Sequence, residues 1–319
     1  MKIVFLETDT LGNDVDLTPF DVLGEVVKYP RSDREENGNR IEDADVIIVN
    51  KIPMNEKNLW KAKKLKLICL TGTGTNIVDF SYTNSRGITV ANVKGYSTPS
   101  VVQHTFALFF YVYEKLSYYD NFVKSGEYIR SDIFSNFNIK FHELAGKTWG
   151  IIGLGEIGRG VAEVAKLFGC RVIYYSTSGN NSNPDYERTD MDTLLTSSDV
   201  VSIHAPLNAG TRDLIGEEQL HRMKKSAVLL NLGRGPIVNE NALARALKEN
   251  WIAAAGLDVL SKEPMSENNP LYEIKDSTKL IITPHIAWAT VEARQRVTEE
   301  VYQNILAFCR GEERNVVRQ

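Results

Sequence analysis

Gly153-Leu154-Gly155-Glu156-Ile157-Gly158 decides how this chain is read. Before it, Thr148-Trp149-Gly150-Ile151-Ile152 is short, apolar and β-favouring, the pattern of a parallel strand buried on both faces. After it, Ile157, Val161, Val164, Ala165 and Phe168 recur at helical spacing, and Gly169 stops the helix. Arg171-Val172-Ile173-Tyr174-Tyr175 then supplies a second strand. A glycine-rich turn alone often only joins a strand to a helix. Strand, glycines, helix and strand in this order form a dinucleotide-binding unit. Gly153 allows the tight turn, Gly155 lets a pyrophosphate approach the backbone, and Gly158 lets the helix pack closely on the strand. The helix start at Glu156 and Ile157 offers free N–H groups and a positive dipole end to the phosphates.

The remaining chain sets limits around that unit. At 319 residues there is length for two domains, each with its own core. A net charge of -4 with 24% charged residues is ordinary for a globular protein, and no basic tract suggests a nucleic-acid partner. Cys69, Cys170 and Cys309 are odd in number, far apart and set among apolar neighbours. They read as reduced core cysteines, not a disulfide frame or metal site, which points to the cytoplasm. Residues 1–6 are too short for a signal-peptide core, and the longest apolar run, Phe106 to Tyr113, is far below a membrane span.

Strands are expected at Lys2–Leu6, Glu25–Tyr29, Ala44–Asn50, Leu65–Leu70 and Ile88–Val93, with a helix at Asn55–Ala62 among the segments between them. Such alternation implies an α/β fold with a parallel sheet covered on both faces. A long apolar helix follows from about Ser100 to Ser117, then a polar, aromatic-rich stretch without periodicity, Ser125 to His142. The second alternating unit has six expected strands, at 148–152, 171–175, 200–204, 227–231, 253–258 and 279–283, which matches a doubly wound dinucleotide-binding sheet. Thr290 to Arg310 is an amphipathic helix ended by Gly311, expected to return to the first domain and make it discontinuous. The expected domains are residues 1–99 with 289–319, and residues 100–288.

Ligands of a doubly wound sheet bind outside the carboxyl ends of its strands. Those ends here run into Gly153, Ser176, His204-Ala205-Pro206, Gly233-Arg234-Gly235, Asp258 and Thr283-Pro284-His285. Arg234, between two glycines, can bind a carboxylate or carbonyl oxygen through its planar fork. His285 can give or take one proton near neutral pH, and Glu263 can pair with it and stabilise the imidazolium. Taken singly, each has a plainer reading. Arg234 is then a turn arginine, His285 a capping or core histidine, and Glu263 a cap before Pro264. His104 is expected to be a packing histidine, and His204 to act through its backbone. The set in order favours reduction of a 2-keto acid: a nicotinamide delivers hydride and the histidine protonates the oxygen.

At these residues the chain resembles the D-isomer-specific 2-hydroxyacid dehydrogenases over nearly its whole length. The likeness rests on Gly150-Ile151-Ile152-Gly153-Leu154-Gly155, Asn231-Leu232-Gly233-Arg234-Gly235, Gly256-Leu257-Asp258-Val259 with Glu263-Pro264, and Thr283-Pro284-His285. It implies a Rossmann nucleotide-binding domain inserted in a flavodoxin-like substrate domain. It also implies that Arg234 orients the keto acid, that His285 is the acid/base, and that Glu263 tunes it. Thr73 and Gly74 would give backbone amides to the substrate carboxylate, although a tight turn also explains Gly72 and Gly74. Asp258 would hold the nicotinamide carboxamide, and Leu232, Gly233, His204, Ala205, Pro206 and Thr211 would line the cofactor. Trp288 is a candidate for the cofactor or substrate pocket, or for domain packing. Tyr96-Ser97-Thr98, Gln103 to Leu108 and His285 to Ala289 look most like glycerate dehydrogenases, also called hydroxypyruvate reductases. A nucleotide-sensing regulator on the same fold is the alternative, since fold does not dictate function.

NAD is the expected cofactor, with NADP possible. The residue that reads the ribose 2′-hydroxyl is Ser176, since 176 minus 158 is 18, where an NAD site places an Asp or Glu. No arginine lies close to it in sequence; the next is Arg188. The expected partners are a small 2-keto or 2-hydroxy acid and a second copy of the chain. Tyr128, Ile133, Phe134 and Phe137 would otherwise expose much apolar area.

Overall fold

The computed structural model describes residues 1–318, apart from the side chains of Arg34 and Glu35. It divides into two compact units, Met1–Ser97 with Ala289–Gln319, and Thr98–Trp288.

The first unit starts with strands β1 (Lys2–Phe5) and β2 (Glu25–Lys28), then α1 (Arg34–Arg40), β3 (Val46–Val49), α2 (Glu56–Leu59), β4 (Leu67–Leu70), α3 (Phe80–Ser85) and β5 (Thr89–Ala91). The strands form one parallel sheet in the order β2-β1-β3-β4-β5, the flavodoxin-like order. The central strands β3 and β4, Val-Ile-Ile-Val and Leu-Ile-Cys-Leu, are buried at every residue because both faces are covered. The edge strand β2 carries exposed Glu25 and Lys28 at its ends. The expected helix Asn55–Ala62 is a single turn, Glu56–Leu59.

The second unit opens on α4 (Thr98–Tyr113), two residues earlier than expected, and α5 (Leu116–Lys124). It continues through β6 (Thr148–Ile152), α6 (Glu156–Leu167), β7 (Arg171–Tyr175), β8 (Glu187–Arg188), α7 (Met191–Ser197), β9 (Val200–Ile203), α8 (Glu217–Arg222), β10 (Val228–Asn231), α9 (Glu240–Lys248), β11 (Ala254–Leu257) and β12 (Leu280–Ile282). All seven strands are parallel, in the order β12-β11-β10-β9-β6-β7-β8. The order reverses at β6, between β7 and β9, which is where a doubly wound sheet opens its crevice. The six expected strands are present. The seventh, β8, is two charged residues on the sheet edge and has no apolar pattern to announce it.

Trp149 anchors this unit's core, fully buried between Phe106 and Phe109 with ring centroids 4.9 Å away. Its indole N–H donates to Ser202 Oγ at 2.8 Å, so the one polar atom of the ring is satisfied. Residues 125–142 hold only a short 3-10 turn at Tyr128–Arg130. The chain then returns to the first unit as α10 (Val291–Cys309), capped by Thr290 and ended at Gly311, whose φ of +73° suits glycine. Asn304 on α10 donates to the Asn92 carbonyl, and Val317 N–H bonds the Val90 carbonyl, tying helix and tail to the β5 edge. Among the described residues no helix is long and apolar enough to cross a membrane, and no cluster of His, Cys, Asp and Glu could hold a metal.

Candidate active site

The three glycines after β6 serve three different ends. Gly153 has φ +92°, and a Cβ there would meet the Ala205 backbone at 2.9 Å. A Cβ on Gly158 would fall on the Gly153 carbonyl oxygen, so α6 can sit this close to the turn only without one. Gly155, the N-cap of α6, differs: nothing lies within 4 Å of where its Cβ would be. Open space beside a backbone followed by the free amides of a twelve-residue helix suits a pyrophosphate. A dinucleotide therefore fits the residues present.

Around that turn, Ser176 is buried at the end of β7, and its hydroxyl accepts the Asn181 N–H at 3.3 Å. Both ring nitrogens of His204 are buried without a hydrogen-bond partner, and burial drops its pKa to about 3. Burial thus favours the neutral ring and disfavours it as the acid. Its neighbours Ala205 and Pro206 follow β9. Thr211 Oγ1 donates to the Pro206 carbonyl at 2.7 Å and accepts the Asn208 N–H at 2.8 Å, so this hydroxyl shapes the loop. Leu232 and Gly233 follow β10, and Trp288 is partly buried against the core that holds Trp149.

Arg234 leaves β10 in extended backbone, φ -145°, on a turn clamped by one buried side chain. Asn231 Oδ1 accepts the Gly233 N–H at 3.1 Å, and its Nδ2 donates to the Arg234 carbonyl at 3.0 Å. The guanidinium donates through Nη1 to the Gly233 carbonyl at 2.8 Å, and no carboxylate among the described residues pairs with it. Its other N–H groups stay available to an anionic ligand. A Cβ on Gly235 would overlap the Leu260 backbone, so the arginine turn is pressed onto the loop that carries Glu263. Glu240, the first residue of α9, fastens that loop by accepting from Ser261 N–H and Asn269 Nδ2.

Glu263 Oε1 accepts the Leu260 N–H at 3.0 Å, and Oε2 lies 2.7 Å from His285 Nδ1. A carboxylate at Nδ1 fixes the proton there and leaves Nε2 to exchange a proton with a ligand. His285 has φ +55°, a left-handed conformation uncommon for residues other than glycine. Asp258 is the reason it persists. Its carbonyl accepts the His285 N–H at 2.8 Å, and its two carboxylate oxygens accept Ile286 N–H and Ala287 N–H, each at 2.9 Å. Thr283 Oγ1 donates to the same carboxylate at 2.6 Å and lies 2.9 Å from His104 Nε2. With the threonine proton committed to Asp258, His104 donates from Nε2. Burial holds His104 below the usual imidazole value against the opposing pull of Asp258.

Asp258, assigned by resemblance to the carboxamide of the nicotinamide, thus uses both oxygens to hold the segment after the histidine. Arg234, Glu263 and His285 belong to one carboxyl edge of one sheet. Thr73 and Gly74 belong to the first unit, after β4, where Thr73 Oγ1 donates to the Val93 carbonyl at 2.7 Å. Asn231 and Thr283 stand inside the motifs that carry Arg234 and His285 but receive no role from the sequence, Glu240 has no signal there, and His104, expected to pack, bonds Thr283.

Comparison with known proteins identifies the family. Residues 106–287 match the family model for the NAD-binding domain of the D-isomer-specific 2-hydroxyacid dehydrogenases. The chain is similar to a glycerate dehydrogenase of Methylorubrum extorquens, with 37% identity over 99% of this chain and 98% of that one. It is also similar to a hydroxypyruvate reductase of Blautia hydrogenotrophica, with 35% identity over the whole of both. In structure it is similar to D-lactate dehydrogenase from Aquifex aeolicus complexed with NAD and lactic acid, with a TM-score of 0.85 and 28% identity over 97% of this chain and 96% of that one. These likenesses run through both units, and the chain belongs to the D-isomer-specific 2-hydroxyacid dehydrogenases, oxidoreductases that use NAD.

Proposed function

We propose that the protein reduces hydroxypyruvate to D-glycerate, with glyoxylate as a weaker substrate. The observation that carries this reading is the pairing of His285 with Glu263 at 2.7 Å on the sheet edge that also presents Arg234, which has no carboxylate partner among the described residues. The names of the relatives, glycerate dehydrogenase and hydroxypyruvate reductase, support the substrate. When bound, reduced nicotinamide supplies hydride to the carbonyl carbon. Arg234 grips the keto acid by its planar fork and polarises the carbonyl. His285 gives the Nε2 proton to the carbonyl oxygen, and Glu263 stabilises the imidazolium before that transfer. The closed hydrogen-bond set around Asp258 keeps the imidazole aimed. Steady-state oxidation of NADH and NADPH against hydroxypyruvate, glyoxylate and bulkier keto acids tests the proposal. Absence of turnover with the two small acids in folded protein contradicts it.

The working unit is a homodimer built on the stretch after α5. Phe134, Phe137 and Ile133 are 89%, 78% and 58% exposed, a large apolar area for a free surface. Light scattering at micromolar concentration tests this, and a monomer mass contradicts it. Cys69 and Cys170 are buried as expected, whereas Cys309, expected in the core, is exposed at the end of α10; all three are free thiols, which supports a reducing compartment such as the cytoplasm.

A further inference from the structure

We infer that Arg188, together with the hydroxyls of Ser176, Thr177 and Ser178, forms a seat for the 2′-phosphate of NADPH, so that the enzyme accepts both dinucleotides. This rests on the reading of Ser176 as the residue at the adenosine ribose.

In sequence, Arg188 stands twelve positions beyond Ser176 and looks irrelevant to it. Strand β8 removes that distance. It pairs parallel with β7, Arg188 against Tyr174, two residues before Ser176. The arginine Nη1 lies 3.4 Å from the Asn181 carbonyl. Asn181 in turn donates from its backbone N–H to Ser176 Oγ and from Nδ2 to the Leu154 carbonyl in the glycine turn, at 3.3 and 2.6 Å. One residue therefore links the guanidinium to both the pyrophosphate turn and the ribose position.

Three features make this a phosphate seat and not a surface arginine at rest. First, no carboxylate among the described residues pairs with Arg188, because the adjacent Glu187 is held by Arg171 at 2.5 Å. Second, the contact to Asn181 is long for a hydrogen bond, so a phosphate displaces it at little cost. Third, residues 176–184 read Ser-Thr-Ser-Gly-Asn-Asn-Ser-Asn-Pro, with no acid to repel a dianion; the first is Asp185. A guanidinium with neighbouring hydroxyls meets phosphate oxygens with charge-assisted hydrogen bonds, whereas the free 2′-hydroxyl of NADH needs only Ser176. NADH is accepted because nothing at the site requires the phosphate.

The test is equilibrium binding of two probes, 2′,5′-ADP and 5′-AMP, to the intact protein by calorimetry. The wild type is expected to prefer 2′,5′-ADP. Arg188→Gln is expected to lower the ratio of affinities, 2′,5′-ADP over 5′-AMP, about tenfold, the size of one lost charged hydrogen bond, and Arg188→Lys to lower it less. The NADPH to NADH ratio of kcat/KM should fall in parallel. Arg188 is exposed on an edge strand of two residues, and an unchanged melting curve will confirm that the variants fold. An unchanged ratio in Arg188→Gln, or equal loss of both probes, overturns the inference while leaving the nucleotide site in place. Failure of both probes to bind the wild type overturns the underlying reading of the ribose position as well.

Discussion

The carboxyl edge around His285 and the rim around Arg188 belong to the same sheet, yet they are built in opposite ways. Around His285 the hydrogen bonds are short, 2.6 to 2.9 Å from Thr283, Ile286, Ala287 and Glu263, and they hold a histidine in a left-handed conformation. Around Arg188 the guanidinium meets the Asn181 carbonyl at 3.4 Å and the Asn181 N–H meets Ser176 Oγ at 3.3 Å; only the Asn181 Nδ2 bond to the Leu154 carbonyl is short, at 2.6 Å, and Arg188 itself is exposed. A proton donor must be held to a fraction of an ångström, because a small misplacement removes most of its effect. A charge that only selects between two cofactors needs reach, not rigidity. The tight region should therefore fail steeply when touched, and the loose one by degrees.

The largest expected effect is at the tight end. His285→Gln should cut turnover about 10²- to 10⁴-fold, the usual worth of a positioned general acid, measured as kcat with hydroxypyruvate and NADH. If activity stays near wild type the acid lies elsewhere. His104 is then the first group to consider, since burial of both ring nitrogens favours the neutral form of His204. Arg234→Lys comes next. A point charge cannot reproduce the fork, so KM for the keto acid should rise about tenfold or more with a smaller change in kcat. Gly235→Ala presses a methyl group into the Leu260 backbone and should destabilise the fold by about 1–3 kcal/mol, read from denaturant midpoints. An unchanged midpoint would mean that the two loops are not locked together.

Two smaller effects follow. Glu263→Gln replaces the carboxylate that fixes the Nδ1 proton of His285, so kcat for keto-acid reduction should fall while KM for the keto acid changes little. An unchanged kcat would detach Glu263 from the acid. His204 should be visible in stability. Its folded pKa of about 3 is far below the ordinary 6.5, so the unfolded chain binds the extra proton between those values. Its contribution is complete above about pH 6.5 and is lost as pH falls toward 3. His204→Phe should flatten the acid side of the stability curve, and an unchanged acid side would show that the ring is hydrated.

Much of this was legible in the residues because it rests on pattern. Apolar runs such as Val46–Val49 and Val228–Asn231 mark doubly covered parallel strands, and the glycines at 153, 155 and 158 mark the turn between strand and helix. Arg234, Glu263 and His285 stand at strand ends or in loops, where sequence motifs point directly at them. What stayed hidden depends on register and packing. Strand β8 is Glu-Arg, with neither alternation nor apolar run, so the closeness of Arg188 to Asn181 could not be counted along the chain. Asn231 and Asp258 act by bonding backbone amides, and the amides they reach are visible only once the turns are folded. The left-handed backbone of His285 has no signature in its residue type, since histidine, although enriched there among non-glycine residues, adopts that conformation in only a small minority of cases.

Steady-state NADH oxidation with hydroxypyruvate by the wild-type protein and by His285→Gln tests the central claim most directly. The account predicts turnover by the wild type that exceeds turnover with glyoxylate, and a loss of at least about a hundredfold in the variant with its fold intact. Equal rates for the two proteins, or no rate from a folded wild type with either keto acid, would contradict it.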